Sequence, residues 1–146
     1  MNVTYIKYFH VALVFLTMAS VTVLFFASSV YVRTDYFLKI KKKKPAWMNV
    51  FPSLEKMHQW IIALFYVTFA LLTVLVVNGI VYAHIMWGLR WLDQPKLLVS
   101  FATWVYFLVM FIFRIWKGFR GVELFTWLII GCLFLSLSMY GAYAWQ

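Results

Sequence analysis

Four apolar runs, each long enough to cross a lipid bilayer, govern what this chain can become. They cover roughly residues 9–31, 59–82, 97–115 and 124–143. A hydrocarbon core of ~30 Å takes ~20 helical residues to cross. No water satisfies peptide groups inside it, so runs this long fold as helices with internal hydrogen bonds, not as barrel strands. Of the 146 residues, 66% are hydrophobic, well above the ~45–50% of a soluble domain. What lies between the runs is too short for a large soluble domain. The first run is longer than the ~7–15 apolar residues of a signal peptide, and basic residues follow rather than precede it. The expectation is an all-α integral membrane protein, one membrane domain over 1–146. Short connections make it a four-transmembrane-helix antiparallel bundle, with helices at about 9–31, 54–82, 97–115 and 122–144.

Charge sets the orientation. Arg33, Lys39, Lys41, Lys42, Lys43, Lys44, Lys56, Arg114, Lys117 and Arg120 fall on one side of such a bundle, ten of the thirteen basic residues. Only Lys7, Arg90 and Lys96 fall on the other. Cytoplasmic loops carry the excess. The basic loop 32–53 is therefore expected in the cytoplasm, with both termini and the Trp-rich loop 83–96 outside. In a bacterium this is a multi-pass protein of the inner membrane. The net charge of +9 reads mainly as this topology signal. Lys41–Lys44 also suit anionic headgroups of the lipid bilayer, at ~1 kcal/mol per charge. No folded basic domain carries the charge, so nucleic acid is not an expected partner.

Local signals are few. Pro52-Ser53-Leu54-Glu55 reads as a helix start, with Ser53 as cap and Glu55 in the first turn. Cys132 stands alone in the fourth run and reads as a packing residue. No CxxCH motif attaches a haem covalently. Asp35, Glu55, Asp93 and Glu123 all lie outside the mid-membrane region, which argues against an ion pathway. The same scarcity of acids, bases and nucleophiles argues against an enzyme. Asn78, the clear amide within a run, is expected to hydrogen-bond a neighbouring helix. Gly131, Ser136 and Ser138 are small positions where a helix can approach closely.

The chemistry concentrates on the expected outer side. His10 opens the first run, His84 closes the second, and Trp87 and Trp91 follow in the loop. Two imidazoles and two indoles at one surface offer axial ligands and stacking faces for a haem. They equally suit ordinary interface residues that anchor helix ends among headgroups. His58, beside Lys56, reads as an interfacial residue of the inner side.

The segment GIVYAHIMWGLRWLDQPKLLVSFATWVYFLVMFIFRIWKGFRG resembles the tryptophan-rich WWD region of the CcsA/HemX-type cytochrome c assembly family. Gly79, Ala83, Trp87, Gly88, Trp91, Pro95, Lys96, Thr103, Trp104, Arg114, Gly118, Arg120 and Gly121 fit the family pattern without a gap. YFHVALVFL resembles the helix that opens with Leu-His-Val, and PSLEKMHQW resembles the lead into the next helix. The chain departs from the pattern at Asp93 and Gln94 in the WWD core, and at Leu97. Ile112 stands where the haem synthase branch has a histidine. The resemblance implies a shortened, divergent member near the C-terminal half and closer to the HemX type. Of that branch's histidines only His10 has a counterpart, and His84 matches no family ligand position.

Two functions follow as expectations. The first is a non-enzymatic, haem-handling or haem-binding accessory of cytochrome c assembly. His10 and His84 would be its metal ligands, and Trp87 and Trp91 would complete the cofactor site. The second is a non-catalytic structural subunit of a larger respiratory or cytochrome-containing membrane complex. Both imply other membrane subunits as partners.

Overall fold

The computed structural model describes residues 3–40, 50–88, 95–117 and 122–144. They form four helices: α1 Val3–Lys39, α2 Leu54–Trp87, α3 Pro95–Lys117 and α4 Val122–Ala144. α1, α2 and α3 are each long and apolar enough to cross a membrane. In α4 the apolar stretch among the described residues is Val122–Leu137.

Helix ends follow local chemistry. α3 opens on Pro95. The first turn has no acceptor for that N–H, so proline costs nothing there and its fixed φ already suits a helix. α2 opens at Leu54, and the Met57 N–H reaches the Ser53 carbonyl at 3.0 Å. Ser53 occupies the cap position, yet its hydroxyl makes no capping bond, contrary to expectation. At the other end Gly88 adopts φ 58°, and its N–H closes on the His84 carbonyl. A residue without Cβ takes that left-handed conformation freely and stops the helix.

α1 and α2 outrun their apolar patterns. They have 37 and 34 residues, against 23 each in α3 and α4. At ~1.5 Å per residue the long pair reaches ~55 and ~51 Å. Lys7, Arg33 and Asp35 do not break α1, because charged side chains at helix ends reach away from apolar surroundings. Asp35 and Lys39 also pair at 2.8 Å across one turn, a spacing that supports a helix in water.

The helices form an antiparallel ring. α1 meets α2 most extensively and then α4, and α3 joins α4 to α2. His10 lies at Gly79, Ser20 bonds Thr68 at 2.5 Å, and Tyr31 faces His58 at 6.1 Å between rings. On the other flank Cys132 meets Val21, and Phe125 packs edge-on against Tyr31 at 4.3 Å. Val3 and Ala144 therefore share one end with Trp87 and Pro95. That end is called here the His10 end. Lys39, Lys56 and Arg114 lie toward the opposite, basic end. Projecting α3 onto α2 from the Trp104–Thr73 contact places its first residue near Tyr82. The α1–α2 pair thus overhangs α3 by ~8 Å at the His10 end.

The core holds Leu24, Ile61, Phe65, Phe107, Phe125 and Leu128, all fully buried. Cys132 is buried and points its thiol at the Val21 carbonyl, 3.8 Å away, as a packing residue. α3 and α4 meet most tightly at Gly131. A Cβ there would lie 2.7 Å from Tyr106 Cε1 and 3.2 Å from Phe107 Cζ. Tyr106 cannot swing aside freely, since its hydroxyl donates to the Trp127 carbonyl at 2.8 Å. Ser136 spends its hydroxyl on its own helix, at the Cys132 carbonyl. The Ser138 side chain lies outside the described residues. Overpacking a close contact costs ~1–3 kcal/mol. Gly131→Leu is accordingly expected to lower the thermal midpoint in detergent clearly, whereas Leu137→Ala on the exposed face leaves it nearly unchanged. Equal midpoints for the two variants would show that Gly131 is not a helix contact.

Candidate functional site

Among the described residues, the side chains that pack around His10 come from α1 and α2. His10 is half-buried between them, one turn above Leu13 on the face of α1 that meets α2. Its ring stacks on Tyr82 at 6.4 Å with 14° between planes. Gly79 lies beneath it: a Cβ there would stand 3.5 Å from His10 Cε1, an ordinary contact. His10 Nδ1 is buried and has no hydrogen-bond partner. A buried polar nitrogen without a partner costs ~1–3 kcal/mol, so this atom calls for a ligand or a bound water.

The other expected residues are less gathered. His84 stands five residues beyond Gly79, ~7.5 Å further along the axis, and is exposed. The register that sets His10 against Gly79 puts His84 level with Tyr5 on α1. Trp87 ends α2 and is about half exposed, at 48%. Trp91 lies outside the described residues, as do Asp93 and Gln94. His10 and His84 share one end of the molecule but not one level of it. Among the described residues no group of three or more metal-ligating side chains gathers.

Three features were not foreseen. Tyr82 and Gly79 flank His10, which only the α1–α2 register reveals. Trp104 is a structural residue: its ring stacks on Phe69 at 6.5 Å, and its Nε1 donates to Thr73 Oγ1 at 3.0 Å. Beside His10, a groove of about 700 Å³ is lined by Tyr5, Ile6 and Phe9 of α1 and by Thr73, Val77 and Asn78 among others of α2. Asn78 was expected to bond a neighbouring helix. It lines the groove instead, and makes no side-chain hydrogen bond within the described residues.

The imidazole is a haem ligand type and its buried nitrogen is unpaired, whereas the groove is lined by its neighbours Ile6 and Phe9 and by the outer face of α2, not by His10 itself.

The architecture is that of a multi-span helical membrane protein. The chain belongs to the cytochrome C assembly protein family, whose profile matches residues 1–146. Cytochrome c biogenesis protein CcsA of Lactuca sativa is 26% identical over 109 residues, 75% of this chain and 32% of that protein. CcsA of Mesostigma viride is 30% identical over 86 residues, 53% of this chain and 28% of its own length. CcsA of Lolium perenne is 27% identical over 119 residues, 74% and 37%. The chain thus spans about a third of the curated relatives it matches. No solved structure matches it.

The Trp104–Thr73 bond ties α3 to α2 inside apolar surroundings, where such bonds are worth ~0.6–2 kcal/mol. A double-mutant cycle of Trp104→Phe and Thr73→Val should return a coupling in that range by unfolding in detergent. Strict additivity would mean that the bond does not hold the helices together.

Proposed function

We propose that this chain is a non-catalytic, haem-binding accessory of cytochrome c assembly. Family membership supports haem handling in general, and one observation carries the reading to a residue: the buried, unpartnered Nδ1 of His10. His10 would ligate the iron, with His84 as a second ligand recruited from the exposed end of α2. Trp87 and Trp91 would lie against the macrocycle. The haem, when bound, supplies an iron open to axial exchange and a redox couple; the chain holds and presents it. Tyr82 fixes the imidazole plane, and the apolar flanks of Phe9 and Ile6 keep water away. Ligation requires neutral imidazole nitrogen, so affinity is expected to fall as the pH drops through the histidine range.

A haem titration tests the site. The wild type should give a Soret band, and His10→Ala should weaken binding at least tenfold. His84→Ala should change band shape more than affinity. A band unchanged in the double variant removes the site. No band in the wild type shifts the reading to the structural subunit.

The same reading orients the protein. Four transmembrane helices run with the basic loop 32–53 in the cytoplasm, and the His10 end with both termini outside, in a bacterial inner membrane. The ten-to-three division of cations supports it. In a Cys132→Ser background, an impermeant thiol reagent added outside should label Gln94→Cys and spare Asn49→Cys. The reverse pattern inverts the topology and moves His10 to the cytoplasmic side.

A further inference from the structure

Two levels of positive charge cross the molecule. The contacts of His10 with Gly79, Ser20 with Thr68 and Tyr31 with His58 agree on one register between α1 and α2. By that register Arg33 lies level with Lys56, and Lys7 with Tyr82. The Trp104–Thr73 bond puts Lys96 of α3 within one residue of the level of Tyr82. Lys7 and Arg33 are 26 residues apart on one unbroken helix, which is ~39 Å. A bilayer measures ~40–45 Å with its headgroup layers included. The two cation levels therefore fall in the two headgroup layers, and the Ser20–Thr68 bond lies midway between them.

The level at the basic end carries more. Trp60 stands one turn inside Lys56 on the same face of α2 and is 67% exposed. Trp116 of α3 falls at the same depth, near Ile61 of α2, and is 85% exposed. Bared indoles at this depth lie where acyl chains meet the headgroups. Arg33 and Lys56 are exposed, and neither makes an ion pair or hydrogen bond within the described residues. Asp35, the carboxylate nearest Arg33 along α1, is taken by Lys39 at 2.8 Å. By sequence, ten cations fall at this end against the three carboxylates Asp35, Glu55 and Glu123. A zwitterionic headgroup brings no net charge to offset that excess. An anionic headgroup does, and its phosphate lies at the depth that Arg33 and Lys56 reach.

We propose that the basic end is a contact site for anionic phospholipid, in which Arg33 and Lys56 hold headgroup phosphates and Trp60 lies against the chain beneath Lys56. Charge and depth select this occupant. Lys41–Lys44, the cation run that stands out in the sequence, lie outside the described residues, and the site does not require them. The inference depends neither on haem binding nor on which leaflet meets the basic end.

Photo-crosslinking to lipid in reconstituted vesicles tests it. The vesicles are mainly phosphatidylcholine with a minor fraction of phosphatidylglycerol, and a trace of one lipid or the other carries a diazirine high on its acyl chain. Labelled phosphatidylglycerol should mark the peptide around Trp60 at least threefold more than labelled phosphatidylcholine does. Arg33→Gln combined with Lys56→Gln should bring the two yields together while the thermal midpoint holds, and either substitution alone should lose part of the preference. Arg33→Lys and Lys7→Gln should each keep it. Equal marking of the wild type by the two lipids would overturn the proposal, as would a preference that the double variant retains. Loss of the preference on adding inorganic phosphate would also overturn it, because the cations would then bind a free anion and not a lipid.

Discussion

The antiparallel contact between α1 and α2 sets the position of everything else. It is the most extensive contact in the molecule, and its register is held at mid-length by the Ser20–Thr68 hydrogen bond. In water such a bond competes with solvent and contributes little. In lipid its alternative is a hydroxyl turned back on its own helix, so it selects register as much as it adds stability. From that register follow the stacking of His10 on Tyr82, the approach of Tyr31 to His58, and the overhang beyond α3. A slip of one turn would carry His10 off Gly79, to Leu75 in one direction and Ala83 in the other.

The molecule divides into a packed part and an open part. Toward the basic end four helices close around Phe65, Phe107 and Phe125, and the buried hydroxyls of Thr17 and Ser28 within the bundle also lack a partner. Toward the His10 end α3 and α4 stop near the level of Tyr82, about one turn beyond Gly79, and the unpaired His10 nitrogen and the groove that holds Asn78 lie on α1 and α2. Polar groups without partners are costly in a membrane and are kept where they act.

Much of the fold was legible in the sequence, because apolar length and loop length are nearly sufficient constraints inside lipid. Four helices and Cys132 as a packing residue came from that alone. Helix ends did not. Hydropathy falls at Lys7 and Arg33, but the helix continues through both, sustained beyond the apolar run by the Asp35–Lys39 pair. The site was legible only in part. His10 stood out as an imidazole at the edge of a run. Tyr82 and Gly79 did not, since their relation to His10 depends on a register between helices that no local pattern encodes. Asn78 is a like case: periodicity gives its face, but not whether a helix covers that face. Trp104 entered the sequence reading only as a fit to the family pattern, and nine helical residues from Pro95 carry it down to Thr73.

The central claim is that His10 is an iron ligand, and a ligand exchange tests it most directly. The protein purified from its own membranes should carry haem, and His10→Met should shift its absorption and electron paramagnetic resonance signature from nitrogen toward sulfur ligation at similar haem content. A signature identical to that of the wild type would contradict the account, because the iron would then be held elsewhere.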